Sequence, residues 1–302
     1  MKQLWNLEFQ IIALIAVGLL ARRTGLVGKT GEKNMTDLVL YIVLPCNIFV
    51  SFLRGNALEN AGDMRAVVLV SIGIQLLSML YGKFAFPREN EDRRRNLAYG
   101  MICSNAGFLG YPVAEGVFGA PGLLLASLYL IPQRIMMWTE GLALYSGVSD
   151  AKAAAKKVLT HPCVIACALG LGAMLTGLRV PELLLSPIQS IARCNTPLSM
   201  MIIGMILSEI DLRSLADSAI LRFSAHRLLL MPLLVYAGCR LLGLSTLVTG
   251  VSTLLAAMPA GATTTMLAAK YGRDEQFAVR LVIFTTLLSI PAIFIWSTIL
   301  AA

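Results

Sequence analysis

Two apolar stretches of the chain carry, near their middle, residues that break helices and residues that donate hydrogen bonds. The first runs from Ser104 to Pro112 and the second from Met258 to Thr265. A helix that is broken and restarted exposes free N–H groups and a partial positive charge at the start of its second half, which suits a bound carboxylate. The side chains that can add donors are Ser104, Asn105, Thr263, Thr264 and Thr265.

Glycine and proline residues interrupt the helix in both stretches. The breakers that we assign to the same binding site are Gly107, Pro112, Pro259 and Gly261. Unwound backbone inside a bilayer survives only where protein buries it or where it lines a wet cavity. Paired breaks in the two halves of a membrane chain are typical of the substrate site of a carrier. The alternative is that the glycines only permit close helix packing and that the hydroxyl groups satisfy neighbouring backbone.

The composition is that of an integral membrane protein. Charged residues are 14% and hydrophobic residues 57% of the 302 residues, and the mean hydropathy is +0.75. A soluble domain has about 25% charged residues. Segments of about 20 apolar residues can cross a bilayer, and the sequence predicts ten of them, at 6–21, 36–53, 66–86, 96–118, 122–146, 162–178, 189–209, 225–243, 246–269 and 278–300.

The distribution of basic residues predicts the orientation. Of the 25 Lys and Arg residues, 18 fall in or beside one set of alternating connections and 6 beside the other set. Basic residues are retained on the cytoplasmic side, so we expect both termini outside. The same bias explains the net charge of +8 without any nucleic-acid partner, since basic loops face anionic lipid headgroups.

Five predicted spans precede the middle cytoplasmic connection and five follow it, so the two halves are inverted. We expect a first inverted repeat at 1–147, a second at 162–302 and a short cytoplasmic loop at 148–161. Two internal similarities support this duplication: Leu44-Pro45 and Thr196-Pro197 are offset by 152 positions, and Pro112 and Pro259 by 147. The predicted fold is an all-α polytopic membrane protein with ten helices, of which the fourth and ninth are broken.

Arg134 is the only basic residue that the sequence places well inside a span. A charge at that depth costs enough that it indicates function. One interpretation is that Arg134 is the counter-charge of an anionic substrate. An ion pair with Glu140 or Glu115 is a second, and a side chain that reaches the membrane interface is a third.

Glu115 and Glu140 are candidates for proton coupling, because burial favours the neutral form of a carboxyl group and lets it load and release a proton. Either could instead lie at an interface without a role. Asn47, which follows Pro45, and Asn195, which precedes Pro197, occupy related places in the two halves. We assign Asn47 to the substrate site, while an interhelical hydrogen bond is the alternative for both asparagines.

An ordered set of motifs resembles the auxin efflux carrier family, which includes bacterial permeases for malate, malonate and related organic acids. The resemblance spans nearly the whole chain and rests on Leu44 to Phe49, Ser104 to Pro112, Trp138 to Gly141, Pro197 to Ser199 with Ile203-Gly204, and Pro259 to Gly272. It implies an inverted five-plus-five repeat, two helices that cross where they unwind, and secondary transport of organic anions by an elevator-like movement. The chain departs from the common pattern at Pro132-Gln133-Arg134, which brings a positive charge into span five.

We therefore expect a secondary active transporter of a small carboxylate in the cytoplasmic membrane, and neither an enzyme nor a protein with a cofactor or metal. An anion sensor or a channel is the alternative. The expected partners are the organic anion, membrane lipids, and a proton or sodium ion if the substrate's own gradient is not the driving force. The sequence leaves the oligomeric state open, with a homodimer as one option.

Overall fold

The computed structural model describes residues 2–54, 57–147, 151–178, 180–208 and 217–301. The described part is helical. Its α-helices are α1 (Lys2–Arg23), α2 (Lys29–Leu38), α3 (Leu44–Leu53), α4 (Ala57–Phe84), α5 (Glu91–Ile102), α6 (Tyr111–Trp138), α7 (Glu140–Ser146), α8 (Ala151–Leu159), α9 (Pro162–Thr176), α10 (Glu182–Ala192), α11 (Asn195–Leu207), α12 (Ser218–Ala225), α13 (Met231–Leu241), α14 (Thr246–Ala256), α15 (Thr263–Lys270) and α16 (Glu275–Ala301).

The chain is a polytopic membrane protein. Among the described residues, six helical segments are long and apolar enough to cross a bilayer: Lys29–Leu53, Ala61–Phe84, Ala106–Ser146, Glu182–Leu207, Ser218–Leu241 and Glu275–Leu300. Two shorter apolar helices are Pro162–Thr176 and Thr246–Ala256. Helix lies within each of the ten segments that the sequence predicts, but breaks shorten several of these helices. Residues 148–150 of the predicted central loop lie outside the described residues, and α8 occupies most of the rest of that loop.

Three of the prolines inside the membrane segments are preceded by π-helical turns. These turns are Val39–Val43 before Pro45, Ala106–Gly110 before Pro112 and His226–Leu230 before Pro232. A proline has no N–H and its ring clashes with the carbonyl four residues earlier, and a wider turn relieves that clash. Each turn therefore also changes the face on which the following side chains lie.

One group of helices consists of α1, α3, α9, α10 and α11. The tightest approach is between α1 and α11, where a Cβ atom on Gly18 would lie 1.9 Å from the carbonyl oxygen of Met201. The reciprocal position is Gly204, whose Cβ would lie 1.9 Å from the carbonyl oxygen of Ile15. Small residues let membrane helices touch backbone to backbone, so these two glycines fix this contact.

A second group contains α4 to α7 and α12 to α16. Ion pairs join the beginnings of its helices at one end of the molecule: Arg93 with Asp217 (3.2 Å) and Asp274 (3.7 Å), Arg222 with Glu89 (2.7 Å), and Arg273 with Asp92 (3.3 Å). The connections before α5, α12 and α16 therefore lie on the same side. That arrangement agrees with the basic-residue count, which assigned all three to one side of the membrane.

Candidate functional site

The two interrupted stretches pair with each other. Between α5 and the π turn that precedes α6, the backbone is extended, and Ser104 forms an isolated antiparallel bridge with Ala260. The N–H of Asn105 donates to the carbonyl of Pro259 at 2.8 Å, and the N–H of Gly261 donates to the carbonyl of Cys103 at 2.9 Å. Each break thus satisfies backbone groups of the other, which is the requirement for unwound chain in a membrane.

Side chains from α16 and from the part of α6 that follows its kink at Gly119 complete the crossing. Gln133 of α6 is buried and clamps Ser104: its Nε2 donates to the Ser104 carbonyl at 2.9 Å, and its Oε1 accepts from the Ser104 hydroxyl at 3.1 Å. The hydroxyl of Thr285 in α16 accepts from the N–H of Ala260 at 3.3 Å. Gln133 and Thr285 therefore hold the two extended segments in place, and the hydroxyl of Ser104 is used in the contact with Gln133.

The second halves of both broken helices begin with free N–H groups. Among the residues that the structure describes, no acceptor receives the N–H of Ala106, Gly107, Phe108, Ala262 or Thr263. Ala262 is exposed and Gly107 and Phe108 are half-buried, so these residues are not sealed inside the protein. Helix starts of this kind carry partial positive charge. Together they give the crossing a group of backbone donors of the kind that suits an anion.

Asn105 and Gly107 border this arrangement. The side-chain amide of Asn105 is half-buried and makes no hydrogen bond with any described residue. A Cβ atom on Gly107 would meet no atom within 4 Å, so the glycine faces open space. The packing alternative therefore has no support at Gly107. It does hold at Gly261, where a Cβ would lie 3.0 Å from the Cys103 carbonyl oxygen.

The other residues assigned to the site have structural contacts. Pro259 supplies the carbonyl that Asn105 binds, and Pro112 is buried in the first turn of α6. The hydroxyl of Thr263 lies 3.1 Å from the Tyr99 hydroxyl and 3.1 Å from Cys103 Sγ. The hydroxyl of Thr264 is buried and has no hydrogen-bond partner among the described residues. In this segment, the hydroxyl of Thr264 therefore remains available to donate a hydrogen bond.

Arg134 is buried, with 8% of its surface exposed, and follows the clamping residue Gln133. Its Nη1 donates to the Tyr111 hydroxyl at 3.3 Å, and its further electrostatic neighbours are Cys163 and Cys167 of α9. No carboxylate of the described residues lies within 4 Å of the guanidinium. A buried cation without an anionic partner favours the counter-charge interpretation over the ion pair.

The two candidate carboxylates lie in different places. Glu115 is half-buried, and its Oε2 accepts from Asn47 Nδ2 at 2.8 Å, which joins α6 to α3. Glu140 is exposed at the start of α7 and lines a groove with Arg94 and Arg95. The structure brings Asn47 together with Glu115, whereas Glu140 is exposed. Asn195 is buried, and its Nδ2 has no partner among the described residues.

Two residues at the crossing went unrecognised in the sequence. Gln133 carries no pattern that distinguishes it from any other amide. Arg227 was placed at the cytoplasmic edge of span eight, and the expectation that Arg134 is the only basic residue inside a span is wrong. The helical segment begins at Ser218, so Arg227 lies well within it and is 3% exposed. The span was predicted to begin at 225 because the apolar run follows Arg227, whereas the first turns of the helix are more polar.

Comparisons with known proteins agree with this architecture. The family model described as "Membrane transport protein" matches residues 7–155 and 148–297. The chain is 28% identical to an "Uncharacterized transporter" of Methanothermobacter thermautotrophicus and 26% identical to a second one of Methanocaldococcus jannaschii, in each case over 96% of both chains. Because the family match covers nearly the whole chain, the protein belongs to the membrane transport protein family, the auxin efflux carrier family that its motifs resemble.

Proposed function

We propose that this membrane transporter is a secondary active carrier of a small organic anion of the carboxylate class, bound at the crossing of the two broken helices. The observation that carries the proposal is the pair of helix starts with free N–H groups on either side of the Ser104 and Ala260 bridge. Asn105 adds an unused amide, and Arg134 adds a buried positive charge without a carboxylate partner in the described part of the chain.

We further propose ten spans arranged as inverted repeats at 1–147 and 162–302, in the cytoplasmic membrane, with both termini outside. Support comes from the ion pairs that hold the connections before α5, α12 and α16 at one end. These connections are two, four or six predicted spans apart, which is consistent with every predicted span crossing the membrane. The short helices α9 and α14 then count as parts of spans.

An elevator-like movement is the proposed mechanism. The group around α1, α3, α9 to α11 would stay fixed, and the group that contains the crossing would move. Between α1 on one side and α6 and α16 on the other lies an apolar cavity of about 420 Å³, lined by residues such as Ile11, Val113 and Ile290. An apolar, loosely filled boundary has few directional bonds to break, which favours sliding of one group past the other.

The hydrogen bond between Asn47 and Glu115 crosses this same boundary. It would have to break during movement. Protonation of Glu115 or binding of the substrate would trigger the breaking of this hydrogen bond. An ion gradient or the substrate's own gradient can therefore drive the cycle. An anion sensor or a channel is the remaining alternative, and a homodimer of the fixed groups is compatible with either.

Counterflow separates these functions. Proteoliposomes that contain the purified protein are loaded with unlabelled malonate, succinate or acetate, and uptake of the same labelled acid is followed. A carrier is expected to show saturable uptake that internal unlabelled acid accelerates, because the loaded site returns faster than the empty one. A channel gives flux that does not saturate or accelerate, and a sensor gives none; either result would contradict the proposal.

Glu115→Gln tests proton coupling. Glutamine keeps the hydrogen bond to Asn47 but cannot exchange a proton, so we expect uptake that no longer responds to an imposed pH gradient while counterflow persists. Arg54 is the charged neighbour of Glu115 and stays unchanged in this variant. Glu140→Gln is the matched control and should keep the native response. A native pH response in Glu115→Gln would remove Glu115 from the coupling step.

A further inference from the structure

Arg227 contacts both broken helices at once. Its Nε donates to the carbonyl of Met258 at 3.0 Å, and its Nη1 donates to the carbonyl of Met101 at 2.9 Å. Met101 lies in the last turn of α5, and Met258 follows the end of α14. The guanidinium therefore ties together the C-terminal ends of the first halves of the two broken helices.

These two ends carry the negative side of the crossing. The last carbonyls of a helix have no partner within it, and the helix dipole places about half a negative charge there. Two such ends meet in a buried region, where unpaired polar groups are costly. No carboxylate of the described residues lies within 4 Å of Arg227, so its charge is opposed by carbonyl groups alone.

The local backbone orients Arg227 for these contacts. It is the second residue of the π turn His226–Leu230, which changes the helix face before Pro232. Because Pro232 has no N–H, the carbonyl of Leu228 loses its helical donor, and Trp296 Nε1 donates to it at 2.9 Å. Helix α16 therefore holds the π turn in place as well as the Ala260 segment.

We propose that Arg227 is the fixed cation of the crossing: its charge holds the two carbonyl ends together, so that no dissolved cation has to bind between them. The inference rests on the proposed function, since it assigns Arg227 a positioning role in the transport cycle. Arg227 itself binds no substrate in this account.

The first test needs no transport. Thermal unfolding of the purified native protein is measured in equal concentrations of sodium chloride, potassium chloride and choline chloride. We expect the same unfolding midpoint in all three, because the cation position is already filled by the protein. A rise in the midpoint that is specific to sodium would overturn the proposal.

The second test removes the cation and returns it from solution. Arg227→Ala leaves a space of guanidinium size between two sets of carbonyls, so we expect uptake of labelled malonate to fall about tenfold or more and millimolar guanidinium chloride to restore both uptake and thermal stability. Arg222→Ala is the control, since Arg222 is exposed and pairs with Glu89 at 2.7 Å; guanidinium should not change it. Arg227→Lys keeps the charge and should retain measurable uptake without guanidinium.

The outcomes separate this inference from the proposed function. A folded Arg227→Ala protein that guanidinium does not stabilise would overturn the assignment of Arg227. Native uptake by a folded Arg227→Ala protein without guanidinium would overturn it too and would leave anion transport standing. If the native protein moved no carboxylate, the proposed function would fail, and the unfolding measurements would still decide whether Arg227 is the cation of the crossing.

Discussion

Arg134→Gln is expected to lower the apparent affinity for the transported carboxylate by about 10- to 100-fold. A hydrogen bond to a charged group contributes about 1.5–3 kcal/mol, and each 1.4 kcal/mol is about a factor of ten in a binding constant. Glutamine is of similar length and retains one amide donor for the Tyr111 hydroxyl, so the loss reports the charge. The measurement is the concentration dependence of uptake into proteoliposomes.

Arg240→Gln is the matched control, because Arg240 is exposed near the end of α13 and makes the same change in net charge. We expect native kinetics from it. Arg134→Gln should unfold at or above the native temperature, since removing a buried unpaired charge relieves a desolvation cost. A large loss of stability with unchanged affinity would instead make Arg134 a packing residue.

Gly261→Val and Gly107→Val are both expected to abolish uptake, but only Gly261→Val is expected to destabilise the fold. At Gly261 the Cβ would already lie 3.0 Å from the Cys103 carbonyl oxygen and 3.1 Å from Cys103 Sγ. The larger side chain must push the two broken segments apart, and overpacking of this kind costs about 1–3 kcal/mol. Gly261→Val should therefore lower the unfolding temperature and abolish uptake together.

Gly107→Val should abolish uptake and leave the unfolding temperature close to native. No atom lies within 4 Å of its Cβ position, so the protein itself tolerates the side chain. The valine would fill the space beside the free N–H groups where we place the anion. Native uptake by Gly107→Val would show that the anion does not bind at the start of this helix.

The positions of the two breaks were predictable because their cause is local. Glycine, proline and hydroxyl residues interrupt two apolar runs at Ser104–Pro112 and Met258–Thr265, and a bilayer allows such interruptions only in special places. Gly107 and Asn105 were identified for the same reason, since each is defined by its own stretch. The basic-residue count likewise predicted the common side of three connections, because the positive-inside rule concerns the ends of spans.

The partners within the site were not predictable, since they depend on tertiary contacts. Nothing in the sequence links Gln133 to Ser104, which lie 29 positions apart, or Arg227 to Met101, which lie 126 positions apart. The depth of Arg227 was misjudged because hydropathy marks the apolar core of a helix, while the helix itself begins at Ser218. Only the three-dimensional arrangement shows that Glu115 bonds to Asn47 and does not form an ion pair with Arg134.

The measurement that tests binding at the crossing most directly is uptake of labelled malonate, succinate and acetate by the native protein and by Asn105→Ala, with Asn34→Ala as the control. Asn34 is exposed on α2, whereas Asn105 presents an unused amide beside the free N–H groups. We predict saturable uptake by the native protein and by Asn34→Ala, and an affinity that is about tenfold or more weaker in Asn105→Ala. Native affinity in Asn105→Ala would contradict a carboxylate site at the crossing of the broken helices.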